Sequence, residues 1–214
     1  MTMDHYAYCF LSIKSLQFAV FRFFGRMVAP VMCYLLTEGY TKSSSHRKYI
    51  IRMLVFALVG YVPYVLMSHP GIMIGKTSFQ FMDFNMLFTL AICLIMLEGI
   101  DYVNSHYENT EQTIARNVVI LVCVLATRYC DWHYYAALWV AGFYLYHDEP
   151  ARKWQVFCLV NLWAIFSSVS SITARYGMEG IKYGLFCFGS FGALLLLKLN
   201  NHEKGKLKIG RAHV

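Results

Sequence analysis

YIIRMLVFALVGYVPYVLMS, residues 49–68, is twenty residues long and carries one formal charge, at Arg52. A bilayer has a hydrocarbon core of about 30 Å, which takes about 20 mainly apolar residues of helix to cross. This stretch meets that length, and the chain repeats its kind on both sides. The same test marks eight segments: Thr2–Phe21, Phe23–Tyr40, Tyr49–Ser68, Phe84–Ile100, Thr113–Tyr129, Trp132–Tyr146, Trp154–Ile172 and Ile181–Leu199. The fourth, fifth and sixth are short, and Tyr and Trp crowd the RYCDWHYY break (128–135) as residues of the headgroup layer do. The expectation is an all-α, polytopic transmembrane helical bundle of about eight spans over residues 1–199, followed by a basic tail at 200–214.

Composition agrees. Of 214 residues 58% are hydrophobic and 14% charged, and mean hydropathy is +0.45. A soluble domain carries about a quarter charged residues, so this chain lacks the surface to stay in water. The net charge of +7 then needs a membrane explanation. Lys42, Arg47, Lys48 and Arg52, the pair Arg152–Lys153, and Lys198, Lys204, Lys206 and Lys208 fall at alternating ends of apolar runs. That is the positive-inside pattern. It assigns the loops near 41–48, 101–112 and 147–153, and the tail, to the cytoplasm. A nucleic-acid binder would gather its cations on one polar face among stacking aromatics, so no nucleic-acid partner is expected. The partner expected of the apolar faces is membrane lipid.

Seven scattered cysteines form no CxxC and no zinc-like Cys–His spacing, and no two histidines stand at i, i+4. No metal is expected, and the cysteines read as small packing residues. The first residues lack a basic stretch followed by an A-x-A-like site, so no cleavable signal is expected. No period of 20–50 residues repeats.

An ionisable group inside a membrane costs several kcal/mol unless it is paired or faces a wet cavity, so each is a site candidate. His5 has the reference pKa of a general base, or else is a neutral histidine bonded to a neighbouring carbonyl. Asp4 points about 100° away from it on a helix and cannot be assumed to orient it. Arg26 could stabilise an oxyanion or reach a headgroup. It is twelve residues, about 18 Å, from Glu38 and does not pair with it. Glu38 is expected to bridge to Arg47, Lys48 or Arg52. Asn85 reads as a bond between helices, with Asp83 the better N-cap candidate, and Asp131 as a turn or a site residue. An enzyme, a transporter or flippase, and a non-catalytic assembly protein would all fit a cluster of His5, Arg26, Asn85 and Asp131. The absence of an internal repeat counts against a transporter.

MTMDH (1–5), FGRMVAPVMCYLLTEGY (24–40), KYIIRMLVFALVGYVPY (48–64), FNMLFTLAICLIMLEGID (84–101) and CDWHYYAALWVAGFYLY (130–146), in that order, resemble the TraX family of bacterial membrane proteins. That family is named for the factor that N-acetylates F-type pilin. The matching positions are Asp4, His5, Gly25, Arg26, Pro30, Glu38, Gly39, Arg52, Pro63, Asn85 and Asp131. The resemblance implies a multi-pass protein of the bacterial inner membrane that transfers acetyl from acetyl-CoA. His5, Arg26, Asp131, Asn85 and Asp4 would then be catalytic, and Glu38, Arg47, Lys48 and Arg52 would face the donor, with pilin a possible acceptor. The family's pattern also has an apolar lead before the Asp-His pair and a further helix after the LNNHEKGK loop, both expected to be missing here. The last six residues, IGRAHV, read as the translation of a sequencing adapter, which the DNA codons test.

Overall fold

A computed structural model of the chain describes residues 2–68 and 84–198, and all that follows concerns those residues. The tail at 200–214 and Asp83 lie outside them. The described chain is helical, with no strand beyond one bridge between Phe84 and Cys130. The helices are α1 (Thr2–Phe10), α2 (Leu16–Arg26), α3 (Val28–Thr41), α4 (His46–Ser68), α5 (Met86–His106), α6 (Asn109–Ala126), α7 (His133–Leu145), α8 (Pro150–Tyr176), α9 (Gly180–Gly184) and α10 (Gly192–Lys198).

Five helical stretches are long and apolar enough to cross a membrane: Leu16–Thr41, His46–Met67, Met86–His106, Asn109–Tyr129 and Pro150–Leu197. The chain is a multi-pass membrane protein, but three of the eight expected segments are not independent spans. The first breaks where Ser12, Lys14 and Ser15 prefer a turn. Ser12 Oγ accepts from Lys14 N, Ser15 Oγ donates to Ser12 O at 2.8 Å, and Ser15 Oγ then caps α2 by accepting from Phe18 N at 3.1 Å. Short hydroxyl side chains satisfy backbone groups that a helix would otherwise use. The result is an α1–α2 hairpin. From α2 the chain runs on through Met27, whose φ of −69° and ψ of −27° are helical, into α3. Pro30 sits in the first turn of α3, where its missing N–H leaves no bond unmade.

The sixth segment, α7, has thirteen residues, about 20 Å of helix, and cannot span alone. It is enclosed instead: Ala136, Ala137, Trp139, Val140 and Phe143 are buried. The eighth is not one regular helix. After Gly177 the chain makes a short turn, α9, a 3-10 run from Leu185 to Phe191 and α10. Gly189 lies so close to α2 that an added Cβ would stand 2.7 Å from the Phe23 carbonyl carbon. Only a residue without a Cβ lets the two backbones approach like that.

The central helices are α5 and α7, packed with α3 and α8 around Tyr34, Leu94, Leu97, Trp139 and Phe157. Helices α4 and α6 lie outside. They expose Val55, Phe56, Leu58, Val59 and Val62, and Val118, Leu121, Val122 and Leu125. Such continuous apolar faces are lipid contacts.

Candidate functional site

At one end of the bundle the 84–85 and 129–131 segments are fastened together. Phe84 N donates to Tyr129 O at 3.1 Å, Asp131 N to Phe84 O at 2.8 Å, and Thr89 Oγ1 to Asp131 O at 2.7 Å. The turn into α7 carries two consecutive non-glycine residues at positive φ, Trp132 (64°) and His133 (40°). Each such residue costs on the order of 1–3 kcal/mol and persists only where its surroundings impose it. Here the Trp132 ring stands 5.0 Å from the Arg26 guanidinium and packs on Trp139, while His133 Nδ1 lies 2.9 Å from Arg128 O. The strained turn aims Asp131 and the indole of Trp132 at the α1–α2 hairpin.

The hairpin answers with Asp4 and His5 from α1, and with Arg22, Gly25 and Arg26 from α2. Arg22 Nη1 donates to Asp4 Oδ2 at 2.7 Å, and this ion pair ties the two helices together. Gly25 is where they touch: a Cβ there would come 2.6 Å from Asp4 Cγ. Asp4, His5, Gly25, Ala29, Met86, Asp131 and Trp132 enclose a cavity of ≈20 Å³, room for about one water molecule. The Asp131 carboxyl lies within electrostatic reach of Arg26, His5 and Asp4. Burial raises its pKa, against the pull of the Trp132 backbone N–H, Arg26 and His5 and with that of Asp4.

The structure therefore brings Asp4, His5, Arg26 and Asp131 into one cluster from separate parts of the chain. Asn85 borders it but is engaged elsewhere. Its Oδ1 accepts from Leu87 N and Phe88 N, making it the N-cap of α5, and its Nδ2 donates to Ala57 O of α4 at 3.0 Å. Arg22 is the member that reading the sequence missed. Its four-residue spacing from Arg26 puts both cations on one helix face, which was the available signal.

Twelve residues along α5, about 18 Å away, a second polar network occupies the other end. The Tyr40 hydroxyl lies 2.8 Å from Asp101 Oδ2 and 3.0 Å from Glu98 Oε2, Tyr144 donates to Asp101 Oδ1, and His46 Nδ1 is 3.0 Å from Glu98. Glu38 is held by Lys42 at 2.7 Å and stands 3.8 Å from His147. Arg47, Lys48 and Arg52, its expected partners, are exposed at the start of α4. An acidic Glu38 engaged in this way suits a structural bridge better than the phosphates of a donor, whereas the three exposed cations remain open to an anion. Among the described residues no group of His, Cys, Asp and Glu could hold a metal ion.

A family model described as TraX protein matches residues 1–187. A curated protein, a probable fimbrial assembly protein FimC of serogroup H1 from Dichelobacter nodosus, is 31% identical over 157 residues, 72% of this chain and 60% of the relative. The chain thus spans less than two thirds of that relative's length. No solved structure matches.

Proposed function

The chain belongs to the TraX family, and from that membership and the geometry above we propose that it is a membrane-embedded acetyltransferase acting in pilus assembly. It would move an acetyl group from acetyl-CoA to an amine or hydroxyl acceptor, a pilin or a surface component. The observation that carries the reading is that Asp4, His5 and Asp131 line one small cavity, with Arg22 paired to Asp4 and Arg26 within electrostatic reach of Asp131.

In this mechanism the neutral imidazole of His5 takes the proton of the acceptor as its nitrogen or oxygen attacks the thioester carbonyl. Asp131, facing His5, orients the ring and stabilises the imidazolium that forms. Arg26, backed by Arg22, balances the developing oxyanion. Collapse breaks the carbon–sulfur bond; the thiolate of CoA leaves and takes up the proton. Asp4 holds Arg22 and so positions the cations. The positive-inside rule assigns the Lys42, Arg47, Lys48 and Arg52 end to the cytoplasm of a bacterial inner membrane. There the three exposed cations would attract the phosphates of CoA. The cavity of ≈20 Å³ is too small for a thioester and an acceptor together, so the α1–α2 hairpin must part from the Trp132 turn during the reaction.

The test is acetyl transfer from labelled acetyl-CoA by the full chain in nanodiscs, offered pilin and membrane extracts as acceptors. His5→Ala is expected to abolish transfer while leaving the unfolding midpoint within a few degrees. Transfer at the unmodified rate by that variant would refute the assignment.

A further inference from the structure

Beyond the His5 cavity, the tip of the α1–α2 hairpin and the last turns of α8 bound an open cleft of ≈650 Å³. That is the size of a site for a small organic ligand. Its lining includes Tyr8, Ser12, Lys14, Ser171, Arg175 and Tyr176, and no carboxylate. Lys14 and Arg175 are exposed, and neither is in an ion pair among the described residues. The neighbouring carboxylate in sequence, Glu179, accepts from the Tyr183 hydroxyl at 2.8 Å. By the positive-inside rule this end faces away from the cytoplasm, where unpaired cations on short connections are least expected.

The cleft and the cavity share no lining residue but both border α1. Asp4 and Tyr8 stand at i and i+4 and share a face of α1, and Tyr8 is about 6 Å along the axis from Asp4. Arg22 joins the two, with its guanidinium 5.8 Å from the Tyr8 ring and paired to Asp4. The Arg22–Asp4 pair thus stands between the cleft and the Asp4 edge of the cavity.

We propose that this cleft is the acceptor's entrance, and that it selects an acceptor carrying a phosphate or carboxylate close to its reacting hydroxyl or amine. The inference rests on the acetyltransferase reading for the word acceptor, but not for the anion site itself. Lys14 and Arg175 hold the anion by charge-assisted hydrogen bonds, the tyrosines flank the body of the acceptor, and the reacting group points along α1 to His5. A cationic group is turned away at the same place.

The experiment measures binding without any acyl donor, so it stands apart from the test of catalysis. The full chain in phosphatidylcholine nanodiscs is titrated with glycerol 3-phosphate and, separately, with glycerol, and is also reconstituted with phosphatidylglycerol in place of part of the phosphatidylcholine. Saturable binding of an anion is expected, weakened about tenfold in Lys14→Gln/Arg175→Gln, whose exposed positions leave folding intact. Binding of glycerol 3-phosphate assigns the anion to a soluble acceptor, and selective retention of phosphatidylglycerol assigns it to a lipid headgroup. Equal binding by the double variant, or equal binding of glycerol, would overturn the proposal. His5→Ala is expected to bind the anion normally, so loss of transfer with retained binding separates the two readings.

Discussion

Replacing Asp4 with Asn removes the charge that holds α1 against α2. The Asp4 and Arg22 side chains are 21% and 13% exposed, and their contact is 2.7 Å. Breaking a fully buried pair by removing one partner costs about 3–5 kcal/mol, because the other charge is left without compensation. Residual exposure reduces that figure, while the neighbouring Arg26, a like charge one turn away, works against the reduction. A loss of about 2–3 kcal/mol follows. In Asp4→Asn/Arg22→Met the stranded cation is gone, and the Met side chain keeps the packing beneath the Phe18 and Phe186 rings that now flank Arg22. The double variant should recover at least half of the loss, a coupling of about 1–2 kcal/mol. Denaturant unfolding of the four proteins in detergent, followed by tryptophan fluorescence, gives the cycle. An Asp4→Asn loss below about 0.5 kcal/mol, or a coupling near zero, would refute the claim that this pair closes the hairpin.

Gly25→Ala places a methyl against the Asp4 carboxyl; it should cut acetyl transfer at least tenfold while the outer helices stay folded, as judged by hydrogen exchange. Asn85→Leu removes the α5 cap and the bond to Ala57 O, a loss of about 2 kcal/mol from a cap worth about 1 and an interhelical bond worth somewhat less. Transfer per folded molecule should be unchanged by it, in contrast to His5→Ala. Burial raises the Asp131 pKa, so the proton is favoured in the fold: the stabilisation is complete below the unfolded value of about 3.9 and is lost as pH rises through the raised one. Asp131→Asn should therefore unfold later than the parent at pH 7, converge with it towards pH 4, and flatten the acidic limb of the transfer profile.

The spans show how far apolar length reaches. Residues 49–68 and 113–129 were legible because α4 and α6 face lipid, where length and hydropathy alone set the element. The 2–21 segment misled because its apolar count outweighed three local residues, Ser12, Lys14 and Ser15, whose hydrogen bonds turn the chain. Asp83 was preferred over Asn85 as a cap on residue type, yet Asn85 makes the cap, since the bridge at Phe84 fixes where α5 starts. Glu38 was matched with the nearest basic run in sequence, while the structure offers it Lys42 one turn away on its own helix and His147 from a distant loop.

The amino-acid sequence by itself determined the membrane class, the helical fold and the short roster of ionisable residues to watch, because in lipid each backbone group must be satisfied within its own helix and each charge stands out. Only the tertiary structure decided which of those charges meet. Asp4 reaches Arg22 because a turn at residues 11–15 folds α1 back on α2, and Asp131 reaches His5 and Arg26 because a strained turn at Trp132 faces that hairpin. The first contact follows from a local turn, but the second joins residues more than a hundred positions apart, and pairings of that kind are set by how helices pack, which no local pattern of residues encodes.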